Sequence, residues 1–278
     1  MLDCSMVAVK RPLVSVIVPT KNSAKTLPRL LESLSSQTLS EFELLAIDDE
    51  SSDRTQFLLT NAGACLVVQH SDRAAARNLG AQLARGEVLV FVDSDMLLET
   101  ELLAECATRI QGYDALIISE KLASPGGYLT RARGAEKLAY YRSGIYEAAR
   151  CFRKSVFLSL GGYRAELVGL EDIDLMARLQ DAGVRVGWTD SMLLHDEGNM
   201  SITEYLAKRR RYGRADRLFS AAHPEYWKRF RSPVDRFKLI ASFSLSSGHR
   251  STIWLLPGLV TCRTLEIFAR ISSWRSAR

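Results

Sequence analysis

The chain has 278 residues, 47% of them hydrophobic and 25% charged, the proportions of an ordinary folded α/β protein. Disordered and collagen-like classes are excluded, and the length suits one large domain or a core domain with an appendage. The net charge of +5 hides an asymmetry: from Lys208 to the end there are 16 Lys or Arg against 4 Asp or Glu, leaving 21 against 28 before it.

In chain order, "LVSVIVPT" (13–20) is a β-branched run that reads as a strand ended by Pro19. Leu27, Leu30, Leu31 and Leu34 then recur at helical spacing, with Pro28 near the helix start, where proline is tolerated. "FELLAIDD" (42–49) predicts a second strand, "DRTQFLLTNAG" (53–63) a helix closed by Gly63, and "CLVVQH" (65–70) a third strand. "RAAARNLGAQLARG" (73–86) is the next helix and "EVLVFVD" (87–93) the fourth strand. Beyond it, "ALIISEK" (115–121) is a strand candidate, and "YLTRARGAEKLAYYRSGIYEA" a broken helical stretch. "EDIDLMARLQDAG" reads as a helix stopped by Gly183, and "VRVGW" as a strand. From about Ser201 the pattern is helical and basic, an appended C-terminal region.

Strands alternating with helices predict a mostly parallel sheet covered on both faces, and near-continuous apolar strands agree. The five cysteines are scattered and form no C-x-x-C, so neither a disulfide framework nor a zinc site is expected. The N-terminus carries no secretory signal pattern, and no apolar run approaches the 18 or so residues of a membrane span. The longest, "TIWLLPGLVTC" (252–262), is broken by Pro257-Gly258. The basic C-terminal quarter interleaves Lys and Arg with Trp, Phe, Leu and Ile, which suits helices lying on an anionic membrane surface. A helical cap on the domain and a plain solvated face are the alternatives.

Open parallel sheets bind ligands beyond the carboxyl ends of their strands. Polar residues collect at three such ends: Thr20-Lys21-Asn22, Asp48-Asp49 and Asp93-Ser94-Asp95. Two carboxylates one residue apart after a buried strand are costly unless neutralised. Asp93 and Asp95 therefore read either as a strand-ending turn or as oxygen ligands of Mg2+ or Mn2+, which pair one or two carboxylates with substrate phosphates. Glu171, Asp172 and Asp174, at the start of a predicted helix, have a bland reading as acids favoured by the helix dipole. The sharper reading makes one of them a base on an acceptor hydroxyl.

"VSVIVPTKN", "LLAIDDESSDRT", "AAARNLGAQLARGEVLVFVDSD" and "GGYRAELVGLEDIDLMARLQDAG" occur in this order. Together they resemble the family-2 glycosyltransferases, from about Leu13 to His195. The resemblance implies the GT-A fold, with a glycosyltransferase domain over 1–200 (nucleotide-binding half about 13–98, acceptor half about 99–200) and a helical basic region over 201–278. It implies an enzyme that takes a nucleotide-sugar donor and inverts at the sugar carbon with the help of a divalent metal. Pro19, Thr20 and Asn22 would line the nucleotide pocket, and Asp49 would accept a hydrogen bond from the base. Relatives often have an aromatic residue at Lys21 and glycine at Glu50. Arg77 would face the donor diphosphate or brace the Asp-x-Asp turn, where Asp93, Ser94 and Asp95 would contact the donor. The metal would lie on Asp93, Asp95 and His195. Asp172 would be the catalytic base, with Glu171 orienting the acceptor, and Arg211 in "KRRRYGR" would clamp diphosphate or touch lipid headgroups.

Cell-surface polysaccharide or glycolipid synthesis is the implied setting, with a sugar or lipid-linked acceptor, in the cytoplasm or on the cytoplasmic face of the membrane. A nucleotidyltransferase is the rival enzyme, but it would need a glycine-rich triphosphate loop, and "PTKNSAKTLP" contains no glycine. A non-catalytic basic binding protein is the third reading. No nucleic-acid motif is present, so no nucleic acid partner is expected.

Overall fold

A computed structural model describes residues 12–124, 126–141, 143–144, 146–196, 201–245, 254–261 and 263–265. The chain opens with β1 (Val14–Thr20), α1 (Leu27–Ser35), β2 (Phe42–Asp48), α2 (Thr55–Asn61), β3 (Cys65–Val68) and α3 (Arg73–Leu83). It continues with β4 (Val88–Phe91), β5 (Met96–Leu98), α4 (Leu102–Arg109), β6 (Ala115–Ile117), β7 (Glu120–Leu122) and α5 (Tyr128–Ala139). Next come β8 (Ala149–Arg153), α6 (Lys154–Ser159), α7 (Glu171–Asp181), β9 (Val186–Trp188) and β10 (Leu193–His195). Four helices follow: α8 (Ile202–Arg211), α9 (Gly213–Ala222), α10 (Pro224–Arg231) and α11 (Pro233–Leu245).

These elements form two compact units. The first comprises Met1–Ser119, Ala149–Ala165 and Arg178–Leu194; the second comprises Glu120–Ala148, Glu166–Ala177 and His195–Arg278. A boundary near residue 200 follows chain order, whereas these units interleave three segments each.

The first unit is built on a seven-stranded sheet of order β3-β2-β1-β4-β8-β6-β9. The β1–β2, β1–β4, β2–β3 and β6–β9 pairs are parallel, and β8 runs antiparallel between β4 and β6. This is the mostly parallel, helix-flanked sheet that the alternation predicted, in the GT-A-like form that the family resemblance implied. Strand β8 was not predicted: Arg150 and Arg153 interrupt its apolar residues, and it begins just past the broken helical stretch that ends in "YEA". The continuous apolar runs are buried on both faces, with Val16, Val18, Val90, Leu102 and Cys106 all in one core.

Proline inside a central strand is normally excluded because it donates nothing to the ladder. Pro19 escapes that cost because β4 pairs with β1 only as far as Ile17, opposite Phe91. Close contact between α3 and the sheet depends on Gly80, where a Cβ would stand 2.5 Å from Cγ2 of Ile17. Asp72 caps α3 by accepting the Ala75 N–H at 2.9 Å.

Two cysteines, Cys106 and Cys151, are free and buried. Cys65 is disulfide-bonded, contrary to the expectation of none. It sits on edge strand β3. In the second unit, α9 and α10 pack Phe219, Tyr226, Trp227 and Phe230 onto Leu167, Leu170 and Ile173. Among the described residues no helix is long and apolar enough to cross a membrane.

Candidate functional site

Three neighbouring parallel strands, β2, β1 and β4, deliver the polar residues of the first unit to one sheet edge, and their loops are tied together. Asn22 takes a left-handed φ of 47°. Its N–H donates to Ser51 Oγ at 2.7 Å, and its Oδ1 accepts the Ser52 N–H at 2.9 Å. Ser23 Oγ lies 2.8 Å from Ser94 Oγ, linking the loop after β1 to the Asp-x-Asp turn. Glu50 has a φ of 48°, the conformation for which glycine is the default, which accounts for the glycine expected there.

The two adjacent acids at the end of β2 have different fates. Asp48 is fully buried and accepts hydrogen bonds from Thr20 Oγ1 (2.7 Å), Ser51 Oγ (2.6 Å) and Gln56 Nε2 (2.9 Å). It is the hub of the loops. Asp49 stays partly exposed, 2.8 Å from His70 Nδ1 and 3.2 Å from Lys21 Nζ. The Ser71 N–H, with Lys21 and His70 beside it, holds Asp49 below its usual carboxylate range. His70 and Ser71, just past β3, were not predicted; the signal available was that β3 is a fourth strand ending at the same edge.

At the end of β4, Arg77 is buried and pairs with Asp93, and Arg150 Nη1 lies 3.5 Å from the other Asp93 oxygen. The Arg77 guanidinium also sits 5.4 Å from the ring centre of Tyr163. Tyr163 is held there by Asn78, whose Oδ1 accepts the Tyr163 N–H at 2.8 Å and whose Nδ2 donates to its carbonyl at 2.7 Å. Arg178 fixes the same loop through the carbonyls of Leu160 and Gly162. Arg77 thus ties α3 to the Asp-x-Asp turn. The pairing of "AAARN" with "GGY" in the sequence is thereby explained: the Asn of one clamps the Tyr of the other.

The second unit holds the residues of the Glu-Asp stretch at the start of α7. Gly169 has a φ of 80°, and a Cβ there would stand 2.6 Å from the Tyr212 ring. Glu171 is buried and accepts the Gly169 N–H, so it fixes the turn before the helix. Asp174 is fully buried and meets His223 Nε2 at 2.9 Å. Asp172 lines a cavity of about 250 Å³ together with Tyr140, Tyr146, Phe230 and several cationic side chains. Burial raises the Tyr226 phenol, and the Asp172 carboxylate adds to the shift.

His195 Nδ1 lies 3.0 Å from Lys137 Nζ and 3.3 Å from Glu120 Oε2. The Arg211 side chain lies outside the described residues, although its backbone closes α8. Among the described residues no three His, Cys, Asp or Glu side chains gather as a ready-made cation cage. At the turn Asp93 is shared by two guanidiniums, and Asp95 is the other carboxylate. One carboxylate plus phosphate oxygens is the kind of set Mg2+ accepts.

Comparison with known proteins agrees with this arrangement. The glycosyl transferase family 2 model matches residues 15–161. The chain is similar to a PGL/p-HBAD biosynthesis glycosyltransferase of Mycobacterium tuberculosis, 31% identical over 180 residues, covering 60% of this chain and 69% of the relative. An uncharacterized glycosyltransferase of Haemophilus influenzae is 27% identical over 186 residues, covering 60% and 62%. Among solved structures, a mannosyltransferase from Pyrobaculum calidifontis in complex with GDP-Man and Mn2+ has a TM-score of 0.63 at 17% identity, covering 97% of this chain and 89% of that one. S. aureus TarS 1-349 in complex with UDP-GlcNAc gives 0.54 at 20%, covering 95% and 91%. The chain spans 55% of a longer TarS chain.

Proposed function

We propose that this chain, which belongs to glycosyl transferase family 2, moves a sugar from a nucleoside-diphosphate donor to an acceptor hydroxyl with inversion at the anomeric carbon. The observation that carries the reading is the tied set of loops at the ends of β2, β1 and β4, with Asn22, Asp49, Ser94 and Asp95 on one sheet edge. Asp49 is kept ionised by Ser71, Lys21 and His70, as an acceptor for base N–H groups must be. Pro19, Thr20 and Asn22 line the nucleotide side.

Arg77 and Arg150 offset the charge of Asp93, so the turn does not repel a diphosphate as two bare carboxylates would. A divalent ion, Mn2+ or Mg2+, would sit on Asp95 and the donor's phosphate oxygens, and when bound it supplies Lewis-acid stabilisation of the departing diphosphate. Arg211 is assigned to the diphosphate or to lipid headgroups.

Asp172 takes the proton of the acceptor hydroxyl as the oxygen bonds to the anomeric carbon. The bond to the nucleoside diphosphate breaks at the same time, and the diphosphate leaves with the electron pair. Glu171 supports this by fixing the turn before Asp172. The PGL/p-HBAD relative supports a glycolipid or cell-surface glycan setting, and the UDP-GlcNAc and GDP-Man complexes support a nucleotide-sugar donor. Contact with an anionic membrane is supported by the exposed Phe237 and Trp254, at 67% and 81%, and by the exposed Lys228 and Lys238. Equal sedimentation with phosphatidylglycerol and phosphatidylcholine vesicles would remove that part.

The test of the main reading is calorimetric titration with UDP- and GDP-sugars, with and without Mn2+. At least one donor is expected to bind, and more tightly with the metal. Heats indistinguishable from dilution for every donor would refute the reading.

A further inference from the structure

The two adjacent aspartates at the end of β2 differ in how many acceptor sites they leave open, and that bears on which nucleotide the strand-end site takes. An ionised carboxylate has about four lone-pair sites, two on each oxygen. At Asp48 all of them are filled. Its Oδ1 accepts from Thr20 Oγ1 at 2.7 Å and Ser51 Oγ at 2.6 Å, and its Oδ2 from the Ser51 N–H at 2.8 Å and Gln56 Nε2 at 2.9 Å.

Asp49 is one donor short of that among the described residues. Its Oδ1 accepts from His70 Nδ1 at 2.8 Å and from the Ser71 N–H at 3.2 Å, while the Lys21 ammonium lies 3.2 Å from Oδ2. A carboxylate only accepts, so the His70 nitrogen that faces it carries the proton. The one site left is on Oδ2, and the Asp49 side chain is 21% exposed, within reach of a ligand. Lys21 decides what stands beside that site. Of the three N–H groups of an ammonium, one donates to the backbone carbonyl of Asp49 and one to Oδ2, which leaves the third next to the open acceptor.

One acceptor beside one donor complements an N–H next to a carbonyl, which is the imide edge of uracil. Guanine also carries an N–H next to a carbonyl, but its N2 amine flanks N1 on the other side and donates in the same direction. A carboxylate reads two such parallel donors with one oxygen each, and here Oδ1 is already filled. Guanine must therefore displace His70 or the Ser71 N–H, or leave a donor unmatched, which costs more than a typical hydrogen bond gains.

We propose that His70 and Lys21 limit Asp49 to a single base N–H and thereby select a uracil nucleotide over a guanine nucleotide as the donor. The proposal rests on the strand-end loops being the nucleotide pocket with Asp49 facing the base.

Calorimetric titration of the full chain with UDP and with GDP, at one Mn2+ concentration, tests it. UDP is expected to bind about tenfold more tightly, the scale of one unmatched donor. His70→Ala opens a site on Oδ1, so each Asp49 oxygen then has one. GDP should tighten in that variant, and the preference for UDP should fall by about threefold or more. His70→Asn, whose Nδ2 replaces the Nδ1 donor, should keep the wild-type preference. Equal affinities in the wild type, or tighter GDP, overturn the proposal. So does a His70→Ala variant that keeps the preference or weakens both nucleotides alike, as a purely structural histidine would. If neither nucleotide binds, the donor reading falls and the proposal with it, whereas equal binding of the two removes the proposal alone.

Discussion

The strand-end site and the Asp172 cavity satisfy their charges in different ways. At the strand ends each carboxylate has its own local answer: Asp48 takes hydroxyl and amide donors, Asp49 takes His70, Lys21 and Ser71, and Asp93 takes two guanidiniums. In the Asp172 cavity three guanidiniums share a single buried glutamate. The first pattern is that of a site set rigidly before its ligand arrives. The second gathers several cations around one buried carboxylate, that of Glu136.

The comparison breaks most readily at Asp172. Asp172→Asn should lower turnover by about 10² to 10⁴ while leaving UDP affinity unchanged, since a general base contributes on that scale. Steady-state rates and UDP titration on the same sample check both halves. Next in size is the brace at the strand ends: Arg77→Leu leaves Asp93 half-buried beside one guanidinium rather than two. It should cost about 3–5 kcal/mol in urea unfolding, with part recovered in Arg77→Leu/Asp93→Leu.

A smaller effect is expected from Glu136→Gln, and its pH dependence has a definite sign. Glu136 is held below its ordinary 4.5, so its ionised form stabilises the fold above that pH, and the contribution fades as pH falls through the lowered value. The melting-temperature gap between wild type and Glu136→Gln should therefore be widest near neutrality and close in acid. A gap that widens in acid would contradict the assignment. Asn78→Ala, which removes two hydrogen bonds to the Tyr163 backbone, should cost about 1–3 kcal/mol and loosen the Arg77–Tyr163 contact.

The sheet was legible because β1 to β4 are apolar runs whose period and punctuation are local. Strand β8 was not, since Arg150 and Arg153 in "ARCFR" stand three residues apart, a helical spacing, and Arg150 was lost from the site with it. Asp48 and Asp49 look equivalent in sequence; only the fold sends one inward as a hub and leaves the other at the surface. His70 and Ser71 escaped because nothing in "QHSD" marks a strand end as functional. Arg236 and Arg263 were read as part of a basic tail. Their convergence on Glu136, 100 and more residues away in sequence, is a tertiary fact that charge patterning does not reveal.

The division of labour between the two regions is tested most directly by measuring donor affinity and turnover side by side in Asp49→Ala and Asp172→Asn. The account predicts that Asp49→Ala weakens UDP-sugar or GDP-sugar binding and that Asp172→Asn binds the donor as wild type does yet transfers almost none of it. Turnover of Asp172→Asn at the wild-type rate would contradict it.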